Sequence, residues 1–246
     1  MSRSAPSTSR TEMEREHSQT DWIDASRLTV VVGHFGSGKS EFSINLALAL
    51  AVRGHQFSLA DLDVVDPYFR SRECRKLLER RGGRLIVSSQ ACMDADVPSL
   101  PPDIHALFDD KSRFGVMDIG GDPAGARVLA QYRKFLAEGD VRIWFVVNAN
   151  RPLTDTAEKA WIYLRNIEAV LGARITGLVN NTHLCYMTSW EDIRAGATLA
   201  EKLSGLSGIP VICHTVPAEL VGEDPGFSGT VFPIKLNLRK PWEKTP

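Results

Sequence analysis

Cysteine is sparse and scattered: Cys74, Cys92, Cys185 and Cys213 leave no C-x-x-C pair in 246 residues. That spacing argues against a zinc knuckle or a thiolate cluster built within one chain, and fits reduced thiols. A surplus of one charge is lacking as well. The 29 basic residues meet 30 acidic ones, for a net charge of −1, so bulk electrostatics predict neither nucleic acid nor an anionic lipid surface as a partner. No apolar run is long enough to span a bilayer, and the first residues carry no apolar secretory core, so a cytoplasmic protein is expected. Sustained periodicity is missing from residues 1–26, which are polar and rich in Ser, Thr and charge. This stretch is expected to be a disordered N-terminal extension, with Trp22 and Ile23 docking on the folded domain.

The remainder is well supplied. A hydrophobic content of 43% over this length suffices for one sizeable core. From Leu28 onward, apolar strands alternate with helical patterns, which predicts an α/β fold: a mainly parallel twisted sheet with helices on both faces. Strands are expected at 28–33, 56–63, 84–89, 114–121, 141–150, 174–181 and 209–217, the last closing the sheet. Helices are expected at 40–54, about 124–137, 154–172 and 189–205. Residues 27–246 therefore read as a single domain.

The first strand runs into "VVGHFGSGKS", which satisfies G-x-x-x-x-G-K-[ST] with Gly33, Gly38, Lys39 and Ser40. Three glycines between a β-branched strand and a helix let backbone amides converge on one concavity, and the helix start adds free N–H groups and a positive dipole end. Such a nest fits phosphate. The stretch Gly33, His34, Phe35, Gly36, Ser37, Gly38, Lys39, Ser40 and Glu41 is thus the expected cofactor-binding cradle of a P-loop nucleotide-binding domain. Lys39 would reach the β- and γ-phosphates, and the Ser40 hydroxyl would bind Mg²⁺.

Carboxylates stand where ligands gather in open α/β sheets, at the carboxyl ends of strands. "ADLDVVDPYFR" places Asp61, Asp63 and Asp66 after the second strand, and "VMDIGGDPAG" places Asp118 at the end of an apolar strand. Asp118 has the form of a Walker-B residue holding Mg²⁺, and the backbone of Gly120 or Gly121 would approach the γ-phosphate. Asp63, at the strand tip, suits orientation of water and metal. Asp61 is expected on the other side of that strand only if the strand continues that far, and Asp66, before Pro67, in a turn. The guanine-reading N-K-x-D loop is absent, whereas "VVNANRP" and "LVNNTHL" put amides at strand ends that could bridge an adenine N6 and N7 edge or simply serve as turn residues. ATP is therefore the expected nucleotide.

In this order, "GHFGSGKS", "DLD", "MDIGGDPAG" and "GLVNN" with "TVPAE" resemble the MinD/ParA group of P-loop ATPases. That group belongs to the class that also contains the nitrogenase iron protein and metallocentre maturation ATPases. The resemblance spans about Leu28 to Ile234. It implies Mg-ATP binding, a P-loop strand beside the Walker-B strand, and a nucleotide-dependent homodimer. Lys39 and Asp63 would be catalytic, Ser40, Asp63 and Asp118 metal-binding, and Asn180 or Asn181 would touch adenine, with Pro217 beside the base. Where that group carries a signature lysine, this chain has His34, followed by Phe35 in place of a glycine. A substitute cation is sought in "YFRSRECRKLLERRGGR", where Arg70 and Arg72 come nearest the phosphates, although such a run also fits a solvated amphipathic helix.

These features together predict an ATPase switch acting on a client protein, with cofactor or metallocentre maturation as its errand. A P-loop small-molecule kinase using "DPYFRSRE", or a nucleotide-binding regulator without turnover, are the alternatives. A membrane partner is disfavoured because the tail "KLNLRKPWEKTP" is short and proline-broken.

Overall fold

The computed structural model describes residues 21–63, 71–87, 104–121, 127, 129–130, 132–138 and 140–238. In chain order these form β1 (Leu28–Gly33), α1 (Lys39–Val52), β2 (Phe57–Leu62), α2 (Ser71–Arg80), β3 (Gly83–Val87) and α3 (His105–Asp109). After these come β4 (Phe114–Ile119), α4 (Arg133–Glu138), β5 (Val141–Val147), α5 (Ala157–Leu171), β6 (Gly177–Asn180), α6 (Trp190–Ser207), β7 (Val211–Pro217) and β8 (Val231–Ile234). The strands make one sheet in the order β3-β2-β4-β1-β5-β6-β7-β8, parallel throughout.

Period-two alternation explains why helices cover both faces. On β1, Leu28, Val30 and Val32 face one core with Ile143, Phe145 and Val147 of β5; that core is closed by Leu107, Leu164 and Leu203 from α3, α5 and α6. Val31, Trp144 and Val146 face the other, which is closed by Phe42, Leu46 and Leu50 of α1 and Leu78 of α2. Helix α1 is buried on almost every side, from Lys39 to Ala47 and again at Leu50. A helix apolar all round must be covered all round. Part of that cover comes from Trp22, whose ring meets Trp144 at 5.4 Å and Phe232 at 5.2 Å between centroids. Ile23 is buried, so the docking expected of these two residues is present; residues 1–20 lie outside the described residues.

Helix ends follow their local chemistry. Thr156 caps α5 by accepting from Lys159 N, and Ser189 and Asp192 form a reciprocal capping box on α6. Helix α5 therefore starts three residues later than the pattern at 154–172 suggests. Two elements escape the sequence reading. Strand β8 adds an eighth member beyond β7, where the sheet was expected to close. Its Pro233 removes a donor, which is tolerated at an edge and argues against a strand when read locally. Helix α3 is too short to show a period.

The P-loop strand β1 lies between β4 and β5, beside the strand that carries Asp118, as the resemblance implies. Strand order reverses there, with β4, β2 and β3 on one side and β5 to β8 on the other. In sheets of this kind the crevice at such a reversal is where ligands bind.

Candidate functional site

The loop between β1 and α1 turns where its glycines permit it. A Cβ on Gly33 would collide with the Val146 carbonyl, and one on Gly38 (φ 83°) with the Asn181 amide. Gly38 is also the N-cap of α1, so the loop delivers Lys39 and Ser40 as the first helical residues. Lys39 is 2% exposed, and its Nζ donates to the His34 carbonyl at 3.2 Å. Ser37 N donates to the same carbonyl at 3.1 Å.

The two ends of this loop have different neighbours. At the Gly38 end, Asn181 Nδ2 donates to the Ser37 carbonyl at 2.7 Å, while Asn181 Oδ1 accepts from Thr215 Oγ1 at 2.5 Å. The His183 ring also lies within 2.6 Å of where a Gly38 Cβ would stand. At the outer turn, His34 meets the Tyr163 ring edge-on at 5.1 Å, and Phe35 is half exposed. Gly121 backs onto this turn: the place of its missing Cβ is 2.5 Å from Phe35 N and 2.8 Å from Lys39 Nζ. The Tyr163 hydroxyl donates to the Gly121 carbonyl and ties that segment to α5.

Carboxylates gather beside Lys39 and Ser40. Asp61 and Asp118 stand directly opposite each other in the β2–β4 register, and Asp63 N donates to Asp61 Oδ1 at 3.3 Å. All three are buried. Burial, reinforced by the neighbouring Asp61 charge, pushes the Asp118 carboxyl up to about 7, against the opposing pull of Lys39 and a hydrogen bond from Ser40. Asp118 Oδ1 has no hydrogen-bond partner. Strand β2 continues to Leu62, so Asp61 shares the Asp118 side of the sheet instead of turning away from it. The D-x-D spacing was the available signal, because residues two apart on a strand face one way.

A cavity of about 470 Å³ opens beside the Gly38 end, lined by Glu41, Asn181, His183, Tyr186, Thr215, Pro217, Glu219 and Lys235 among others. Its far wall is the segment after β8. Glu41 Oε1 accepts from Asn237 N at 2.6 Å and Glu41 Oε2 from Leu238 N at 3.1 Å. Asn45 exchanges hydrogen bonds with the backbone of Lys235. Burial raises the Glu41 pKa, and those amides oppose the rise. Glu41 is therefore a latch for the C-terminal segment.

Lys39, Ser40, Asp63, Asp118 and Gly121 thus come together around the Lys39 side chain, and Pro217 lines the cavity. The two asparagines differ. Asn180 is fully buried; its amide donates to Ile193 O, contacts His214 Nδ1, and accepts from Thr182 N. Asn181 is held between Ser37 and Thr215 and also lines the cavity. Both amides brace the loop and α6. Arg70, the side chain of Arg72, and Asp66 lie outside the described residues. A cation that the sequence reading passed over stands elsewhere: Arg151 Nε donates to the Gly36 carbonyl at 2.7 Å.

No family model and no curated protein sequence matches the chain. Solved structures do. The cell division protein FtsY of Thermotoga maritima is 21% identical with a TM-score of 0.51, covering 76% of this chain and 60% of its own. Chloroplast FtsY of Physcomitrella patens is 17% identical with a TM-score of 0.50, covering 76% of this chain and 57% of its own. The chain thus spans under two thirds of either structure. The likeness shows the fold: an α/β domain whose parallel sheet is flanked by helices. Among the described residues no helix is long and apolar enough to cross a membrane.

Proposed function

We propose that the chain is a Mg-ATP-binding P-loop ATPase acting as a nucleotide-dependent switch on a partner protein. The observation that carries this is the convergence of Lys39, Ser40 and Asp118 beneath a glycine loop at the strand-order reversal. In this reading the loop amides and the start of α1 hold the phosphates, and Lys39 neutralises the terminal ones. Ser40, Asp118 and Asp63 are hard oxygen donors suited to Mg²⁺, which would spread the charge of the β- and γ-phosphates. Among the described residues no group of three or more His, Cys, Asp and Glu is arranged to hold a metal alone. Phosphate oxygens and water would complete the shell, as Mg²⁺ prefers. Asp63 orients the attacking water, and the Gly121 backbone borders the terminal phosphate.

The base would occupy the 470 Å³ cavity, against Pro217 and Tyr186. Adenine is favoured because no N-K-x-D loop supplies guanine's partners. Glu219 is a carboxylate on the wall that guanine's N1 and N2 edge could use, which makes GTP the informative competitor. A partner is supported by exposed apolar side chains: Phe35 at 51% on the outer turn, Tyr186 at 71% on the cavity wall and its chain neighbour Met187 at 78%. Cofactor or metallocentre maturation of that partner is the errand suggested by the resemblance to MinD/ParA ATPases.

Calorimetric titration tests the site. Wild type should bind Mg-ATP, and Lys39→Ala should weaken it by about 100-fold or more, since a buried charge-assisted phosphate contact is lost. Unchanged affinity in Lys39→Ala overturns the reading, and tighter GTP than ATP binding transfers it to guanine. Phosphate release without any acceptor separates a switch from a small-molecule kinase.

A further inference from the structure

Arg151 follows β5, in the turn "NANRPLT" that leads to α5. The turn is rigid. Arg151 N donates to Asn148 O at 3.2 Å, Thr154 N donates to Arg151 O at 2.9 Å, and the buried Thr154 Oγ1 donates to Asn148 O at 3.0 Å. From this base the side chain reaches across to the P-loop, where Nε donates to the Gly36 carbonyl. The guanidinium fills the side of Gly36 that a Cβ would occupy, with Nε, Cζ and Nη2 at 3.0, 3.1 and 3.4 Å from that position. Only one of its five donors is used by this contact. Among the described residues no carboxylate pairs with it.

Arg151 adds a second cation to a loop whose Lys39 faces the buried carboxylates, and its charge favours an anion at that turn. The position along the loop says which anion. The Gly38 end is closed by Asn181 and His183, on the side of the cavity. Arg151 sits at the other end, on the His34–Gly36 turn, whose opposite flank is Gly121 and within which Lys39 Nζ lies. Its charge also depresses the His34 pKa, after burial and together with Lys39, which places it within reach of that turn.

We infer that Arg151 supplies, within the same chain, the positive charge that stabilises the terminal phosphoryl group of a bound nucleoside triphosphate. This rests on the nucleotide-binding reading above. Nε fixes the guanidinium on the Gly36 carbonyl, and the remaining N–H donors would serve the charge that develops as the terminal phosphoryl leaves. His34, neutral at pH 7, then needs no charge of its own.

The experiment compares Arg151→Ala, Arg151→Gln and Arg151→Lys with wild type in Mg-ATP and Mg-ADP affinity, kcat, and thermal unfolding. Charge stabilisation predicts a kcat loss of about 100-fold in Ala and Gln and partial recovery in Lys, with ADP affinity within about threefold of wild type. Gln can still donate to Gly36 O, so it separates the charge from the brace. A brace alone predicts the reverse: Gln rescues, Lys does not, and ATP and ADP affinity fall together with the unfolding temperature. That pattern, or unchanged kcat in Arg151→Gln, overturns the inference while nucleotide binding by wild type leaves the broader reading intact. Wild type that binds neither nucleotide overturns both.

Discussion

Two sides of the P-loop are built differently. At the Gly38 end side-chain amides brace the backbone: Asn181 bridges Ser37 and Thr215, and Asn180 bridges Ile193, His214 and Thr182. Around Lys39 and Ser40 three carboxylates are buried close together, and Asp118 keeps an oxygen without a hydrogen bond. Hydrogen-bonded bracing specifies geometry, whereas crowded buried charge lowers stability and persists where a ligand makes use of it. In the proposed reading the braced side positions the phosphates and the acidic side carries the chemistry.

The sharpest way to probe this contrast is Asp63→Ala in the acidic cluster. ATP should remain bound while turnover falls by about 10²–10⁴-fold, the usual contribution of a positioned acid–base group. Single-turnover assays against titration read the two separately, and collapse of affinity with turnover intact would mean that Asp63 belongs to the bracing.

Asn181→Ala attacks the amide bracing. It leaves the Ser37 carbonyl without that donor, while the Thr215 hydroxyl keeps the Asn180 carbonyl, so unfolding stability should drop by about 1–3 kcal/mol. Denaturant titration measures this, and a loss below about 1 kcal/mol would remove the claimed difference between the two sides.

Asp118→Asn should move stability the other way. A carboxyl whose pKa is raised to about 7 in the fold holds its proton where the unfolded chain, near 4, has released it. The folded state therefore binds more protons between about pH 4 and 7, and without Mg²⁺ its stability falls as pH rises through that window. Asparagine removes the fall, so the variant should gain about 2–3 kcal/mol at pH 7.5 and show a flatter profile, yet lose Mg²⁺ dependence. A profile unchanged from wild type would show that Asp118 does not carry the proton.

The smallest effect is expected from His34→Lys. A third cation beside Lys39 and Arg151 should lower the unfolding temperature by roughly 2–4 °C, about 1 kcal/mol, with recovery on adding Mg-ATP. Light scattering in ATP and in ADP then tests whether a lysine here promotes the homodimer that the resemblance implies.

The contrast was only half legible in the chain. "VVGHFGSGKS" and "VMDIGG" announce themselves because the constraints are local: a strand, a turn only glycine can make, a helix start. Asn180 and Asn181 are visible in the chain as strand-end amides, but their bracing of His214 and Ser37 is not, since those partners lie 34 and 144 positions away. Strand β8 was hidden by Pro233, and Arg151 looked like an ordinary turn residue.

Sequence alone determined the alternation of strands and helices, the glycine loop and the carboxylates at strand tips, because each is set by side-chain period and backbone freedom over a few residues. The tertiary structure alone decided that Asp61 faces Asp118, that Glu41 latches the C-terminal segment and that Arg151 crosses to Gly36. Those contacts join strands and loops distant in the chain, and parallel pairing sets their register through packing that no short window encodes.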